Sequence, residues 1–322
     1  MKGTLIAAML MLIAAFAATG SSLRSAGIEY AKNIILENDN DRENRSNPRN
    51  ATRLIAYRRS GMVGQATIAL YDYLEEHARA QFMPITLIWK NEQHSGLEAL
   101  LFANTLQDAG SPFLLLYTPE MMIEEIVSGQ DFLSGLSPIA MFGTEPVCFA
   151  VRADSPYTSQ DALLRISREK LLRLGGISVE GGLDELRFRY LLGVHDGCPY
   201  QSVDPEIPGV SLEDGTVDVL CLPRAQAVEA AQSGKICILP YEAHDVLSVL
   251  EDNWICLMTA QSTQQGMMEY WDQVSRECLN SEAWRELCEK YGWQSSALDG
   301  EEIRAFLQNQ MFQLSDILWD SL

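Results

Sequence analysis

Basic residues are scarce in this chain: 24 lysines and arginines stand against 44 aspartates and glutamates in 322 residues, a formal net charge of −20. Without clustered cations to neutralise phosphates, nucleic acid is excluded as a partner and an anionic membrane surface is disfavoured. Histidine is scarcer still. His77, His94, His195 and His244 are scattered without metal-ligand spacing. The seven cysteines form no C-x-x-C pair, which removes the usual zinc and redox motifs. In runs such as DVLCLP and KICILP they read as small buried hydrophobes, with one disulfide left open. There is no G-x-S-x-G elbow, no H-E-x-x-H and no evident Cys/His pairing. Binding rather than catalysis is therefore expected, with no cofactor and no metal.

A lysine is also missing where it would matter most. Residues 175–185 read GGISVEGGLDE, a glycine-rich run that opens a helix, where backbone N–H groups and the helix N-terminus favour an anion. A phosphate loop would end in G-K-[ST], but Gly181, Gly182 and Leu183 occupy that stretch, so a nucleotide is not expected. A strand-to-helix turn that binds nothing is the alternative.

The first residues, MKGTLIAAMLMLIAAFAATGSS, carry one charge, Lys2, ahead of an apolar run from Leu5 to Ala18. With Ala15-Phe16-Ala17 as a cleavage-like site this is the layout of a secretory signal, residues 1–20, and retention as a membrane anchor is the alternative. No cysteine lies near it for lipid attachment. The polar text NDNDRENRSNPRN, 38–50, falls in a linker that spans residues 21–51. Both readings put the folded part outside the cytoplasm, periplasmic or at the cell surface.

A hydrophobic content of 47% with 21% charged residues fits a packed core beyond the linker. Strand-like runs at Leu54–Tyr57, Pro84–Trp89 and Phe113–Tyr117 are each followed by helical spacing, which predicts a parallel sheet flanked by helices. LSPIAMFGTEPVCFAVRADSP reads as two strands separated by a Gly-Thr-Glu-Pro turn. A second alternating set follows: helix 161–168, strand 172–177, helix 183–192, strand 217–222, helix 225–232 and strand 235–239. A strand from Trp254 and three helices, 267–279, 281–291 and 301–318, end the chain. The expected fold is α/β and two-lobed, with residues 52–151 plus 253–322 as one lobe and 152–252 as the other. Ligands in such folds lie beyond the carboxyl ends of the strands.

Four strand-to-helix loops would line that cleft: Tyr57-Arg58-Arg59-Ser60-Gly61, 90–96, Tyr117-Thr118-Pro119 and the run from Gly175. Their amides and hydroxyls suit carboxylate capture, since hydrogen bonds to a charged group are roughly twice as strong as neutral ones. The segments RLIAYRRSGMVGQA, LIWKNEQHSG, SPFLLLYTPE, SPIAMFGTEPVCFAVRADSP, LRLGGISVEGGLDEL, PYQSV, LEDGTVDVL and SGKICIL, in this order, resemble the substrate-binding receptors of tripartite tricarboxylate transporters over about residues 52–320. That resemblance implies a periplasmic-binding-protein fold of type II closing on a small di- or tricarboxylate, delivery to membrane permease subunits, and a monomer. By the same resemblance Ser60 and Gly61 match the first ligand loop, Asn91 and Gly96 the second, Thr118 the third, Ser178, Gly181 and Gly182 the other lobe, and Asp218 an acid near the cleft. Tyr57, Arg58, Arg59, His94 and Ser95 complete the candidate set.

The chain departs from the family pattern at several places. Ser60-Gly61 replaces a Gly-Gly pair, Gly64 stands where an acid is usual, Gln93-His94 replaces Pro-Gly, and Tyr200-Gln201-Ser202 replaces Tyr-Lys-Gly. Arg58 and Arg59 are additions. One of them is expected to grip the ligand carboxylate with two prongs, the plain alternative being a solvated surface pair. Glu180 and Asp184 either favour the helix N-terminus or read an amino group on the ligand. A sensor of the same fold that feeds a signalling partner is the rival to transport.

Overall fold

The computed structural model describes residues 51–59, 61–80, 84–90, 96–157, 159–194, 197–204, 207–240, 249–296 and 298–319. The expected signal and nearly all of the linker lie outside the described residues. Three short strands begin the fold: β1 (Thr52–Ala56), β2 (Ile85–Trp89) and β3 (Phe113–Tyr117). β1 lies between β2 and β3 and pairs in parallel with both. Every residue of β3, FLLLY, is buried, as an uninterrupted apolar run demands of an inner strand. The crossovers are α1 (Gly61–Ala80) and α2 (Leu97–Asp108), and α3 (Pro119–Ser128) follows β3. α3 is defined at both ends by its sequence: Thr118 caps it by accepting from the Met121 N–H at 3.4 Å, Pro119 opens it, and Gly129 closes it at φ 64°.

The stretch read as two strands is one strand, β4 (Leu136–Arg152). Its first part, Leu136 to Pro146, pairs antiparallel with β9 (Asp252–Ala260), which in turn pairs antiparallel with β3. Its second part, from Val147, lies between β7 (Val219–Pro223) and β8 (Ile236–Leu239). Gly-Thr-Glu-Pro makes no turn because β9 runs alongside it: Thr144 faces Trp254, Glu145 faces Asn253 and Pro146 faces Asp252. Pro146, which has no N–H to give, sits where β4 changes partners, a place where a missing donor is tolerated. Gly143 adopts φ 150°, and a Cβ there would come within 2.5 Å of the Gln294 carbonyl oxygen.

The second half is built on shorter strands. β5 (Leu174–Gly176) pairs in parallel with β7 and with β6 (Tyr200–Ser202), a strand that the sequence pattern does not announce. The helices here are α4 (Gln160–Ser167), α5 (Leu183–Tyr190), α6 (Val210–Glu213) and α7 (Arg224–Ala231). The chain then returns through β9 and ends in α8 (Gln265–Leu279), α9 (Glu282–Tyr291) and α10 (Gly300–Trp319). Ser281 caps α9 as expected, accepting from the Trp284 N–H at 3.2 Å. Trp254, Trp271 and Trp284 are fully buried in the large core, and Phe142 meets Trp284 edge to face at 5.2 Å. The architecture is α/β and two-lobed, and β4 joins the strands of both halves into one continuous path, pairing with β9 in its first part and with β7 and β8 in its second. Among the described residues no helix is long and apolar enough to cross a membrane.

Candidate functional site

The loops after β1, β3 and β5 converge where the lobes meet. Tyr57 follows β1 and is buried, and its hydroxyl donates to the carboxylate of Glu120, on the first turn of α3. Arg58 reaches the same carboxylate, with Nη2 3.2 Å from Glu120 Oε1. That Nη2 also lies 3.5 Å from the carbonyl oxygen of Ile177, in the other lobe. Thr118 Oγ1 approaches the Tyr57 hydroxyl at 3.4 Å. The positive end of α3 suits the acid held there. Burial and the neighbouring Glu120 both push the Tyr57 phenol well above its usual range. Burial opposes charge on Arg58, yet Glu120, Tyr57 and Asp184 together outweigh it and raise the guanidinium above its ordinary value. Among the described residues, Arg58 Nε is buried with no hydrogen-bond partner.

Across the interface the glycine-rich run folds onto its own acid. Ile177 and Ser178 donate their N–H groups to Asp184 Oδ2 at 2.7 and 2.9 Å, and the Asp184 N–H returns a bond to Ser178 Oγ at 3.0 Å. Tyr200 closes the turn by donating to the Ser178 carbonyl at 2.9 Å. Gly176 has no room for a side chain: a Cβ would stand 2.6 Å from both Asp184 and the Tyr200 hydroxyl. The other carboxylate oxygen of Asp184 accepts from Arg187 Nη1 at 2.8 Å. Arg187 is fully engaged, its Nε donating to the Leu250 carbonyl at 2.7 Å and its Nη2 to Asn253 Oδ1 at 2.9 Å. Asn253 passes the chain on to Glu145 at 3.2 Å, and Glu145 also accepts from Trp293 Nε1 at 2.8 Å. Burial raises the Glu145 carboxyl above the usual carboxylate range despite these donors.

Between these groups lies a cavity of about 40 Å³, lined by Tyr57, Arg58, Thr118 and Glu120 on one side and by Ile177 and Pro223 on the other. A smaller one, about 20 Å³, continues toward Asp184 and Arg187. At roughly 10–15 Å³ per water, the larger holds about three waters. The walls carry Arg58 and Arg187 against Glu120, Glu145 and Asp184, an excess of acid.

Of the candidate residues, Tyr57, Arg58, Gly61 and Thr118 line this cavity. Gly61 turns the chain into α1 at φ 62°. Arg59 is exposed and lies over the Trp89 ring at 5.6 Å. Gly64, where the family pattern has an acid, has its missing Cβ pointed into the Arg59 carbonyl, so no side chain fits. Gly96 packs against Met121 and donates its N–H to Glu124 at 3.1 Å. Ser178 is committed to the Asp184 turn, Gly182 caps α5, and the Gly181 N–H donates to Glu185 at 2.7 Å. Asp218 lies away from the cavity and takes Arg173 in a two-pronged bond at 2.9 and 3.0 Å. Burial works against its charge, but the Arg173 bonds prevail and its pKa is lowered. Ser60, Asn91, His94 and Ser95 lie outside the described residues. Glu120, Glu145, Arg187 and Asn253 were not singled out from sequence. The one local signal for Glu120 was its place directly after the Thr-Pro helix start, and for Arg187 its spacing of three from Asp184.

The sequence matches no protein-family model and no curated protein. Solved structures do match. A malate-bound MatC from Rhodopseudomonas palustris aligns with a TM-score of 0.66 at 14% identity, over 83% of this chain and 98% of that one. A TctC solute-binding protein from Polaromonas aligns at 0.61 and 15% identity, over 84% and 98%. An R. palustris protein with adipate aligns at 0.63 and 14%, over 84% and 97%. Likeness at this identity establishes the fold, which is that of periplasmic solute-binding proteins.

Proposed function

We propose that this protein is an extracytoplasmic solute receptor of the tripartite tricarboxylate transporter type, a monomer that closes its two lobes on a small organic acid and presents it to membrane permease subunits. The observation that carries the reading is the Tyr57–Arg58 pair: it already grips a carboxylate at the lobe boundary while touching the opposite lobe. Hydrogen bonds from an arginine and a phenol to one carboxylate, in a site shielded from water, are the chemistry of acid capture. We place the lobe division at residues 52–151 plus 253–322 and 152–252, with the first crossing at the end of the strand that pairs in both sheets. An exported segment at 1–20 and a linker to 51 fit delivery outside the cytoplasm. Malate and adipate in two proteins of this fold support a di- or tricarboxylate as the solute.

An amino-acid-like ligand is the second reading, favoured by the surplus of Glu120, Glu145 and Asp184 over Arg58 and Arg187 around the cavity. Calorimetry of the chain from residue 51 against dicarboxylates, tricarboxylates, aromatic acids and amino acids decides between them. Saturable binding of a plain di- or tricarboxylate supports the first, and an exclusive response to amino acids supports the second. If no acid in the panel binds saturably, the receptor reading fails.

A further inference from the structure

We infer that Glu120 is a built-in competitor for the ligand's carboxylate, a self-ligand that sets how strong an acid signal the receptor requires. This rests on the reading of the cleft as an acid-binding site. The Glu120 carboxylate has the two partners that an incoming carboxylate would want, the Tyr57 hydroxyl and the Arg58 guanidinium. It is also placed where the lobes meet, because the Arg58 nitrogen that holds it reaches the Ile177 carbonyl across the cleft. Glu120 is held in that position by its backbone, on the first turn of α3 directly behind Thr118 and Pro119.

The engagement is incomplete on the arginine side. Glu120 takes Nη2, while the buried Nε has no partner among the described residues. A carboxylate that met Arg58 as a two-pronged pair would satisfy Nε as well, so an external acid can win on bonds formed. It must still displace a rival that the fold keeps at the site whatever the ligand concentration. The competitor thus lowers affinity for every carboxylate by the fraction of protein in which Glu120 holds the site. The factor is the same for each of them, so short monocarboxylates, which bring no second group and start from the weakest binding, are the first to fall below a useful affinity. Glu120 accordingly sets an affinity threshold that ligands with several polar groups clear and simple monocarboxylates do not.

Removing the rival tests this directly, with acetate as probe. In Glu120→Ala the place of the lost carboxylate lies against Tyr57 and Arg58, and acetate should bind there about tenfold or more tighter than to the wild type, read as saturable stabilisation in thermal shift and by calorimetry. Glu120→Gln, close in shape, should gain in the same direction but less. Adding Arg58→Ala to Glu120→Ala should abolish the gain. Equal acetate response in the wild type and in both Glu120 variants overturns the competitor. A gain that survives loss of Arg58 overturns it too, since acetate is then bound elsewhere. A wild type that binds no acid in the panel while Glu120→Ala takes acetate leaves the competitor standing and removes the proposed solute class. A wild type that binds a panel acid, with Glu120 variants unchanged, does the reverse.

Discussion

Two arginine–carboxylate pairs lie on either side of one crevice, and they differ in how completely they are used. Arg187 is buried with Asp184 at 2.8 Å, and its other nitrogens are spent on the Leu250 carbonyl and Asn253. Asp184 is equally occupied, accepting two amides of the glycine-rich turn on its second oxygen. Arg58 holds Glu120 more loosely at 3.2 Å, keeps a buried nitrogen without a partner, and borders the larger cavity. Burying a charge is tolerated when its bonds are complete, so the first pair is architecture. Incomplete bonding beside a cavity is instead what a ligand can improve on. On the proposed reading, the two pairs separate support from recognition within the same site.

The sharpest way to break that contrast is to remove Arg187. Arg187→Ala leaves Asp184 as a buried acid without its ion partner, and unfolding by urea should show a loss of about 3–5 kcal/mol. Arg58→Ala should cost less stability, about 1–2 kcal/mol, since Glu120 keeps its bond to Tyr57. The same change should weaken binding of the preferred acid by about tenfold to a hundredfold in calorimetry. If Arg58→Ala destabilises as much as Arg187→Ala and leaves binding intact, the division of labour is wrong.

Glu145 sharpens the comparison from the middle, because Asn253 links it to Arg187. Its folded pKa is raised by burial, so the folded state holds the proton more tightly than the unfolded chain. Stability should then fall as pH rises through the window between the ordinary carboxylate value and the raised one. Glu145→Gln should flatten that part of the stability–pH curve, as measured by thermal melts from pH 4 to pH 8. The smallest effect is expected at Arg173, whose pairing with Asp218 is half-exposed: Arg173→Ala should change stability by under about 1 kcal/mol and leave ligand binding unaltered.

The half of this contrast proposed for recognition was partly legible in the sequence. Tyr57, Arg58 and Thr118 follow strands with strong apolar signals, so their place at strand ends could be read from the pattern. Glu120 could not, since an acid in the first turn of a helix is ordinary and only the fold brings it onto Tyr57 and Arg58 from 63 and 62 residues away. The support half was hidden more deeply. Asp184 reads as a favourable charge near a helix start, and nothing local announces that it would absorb the amides of its own glycine turn. Glu145 was lost in a Gly-Thr-Glu-Pro run that has turn chemistry, yet the neighbouring strand β9 holds it extended. The three-residue strand Tyr200–Ser202 is too short to display alternation, and its pairing with β5 creates it.

The uninterrupted course of β4 carries a consequence for how the molecule comes apart. That strand is the border of one sheet and an inner member of the other, and no linker separates the two roles. Melting either half therefore strips backbone partners from the remaining half. Heat should take the whole protein in one cooperative step, as if it were half its length, and no surviving fragment should persist between two transitions.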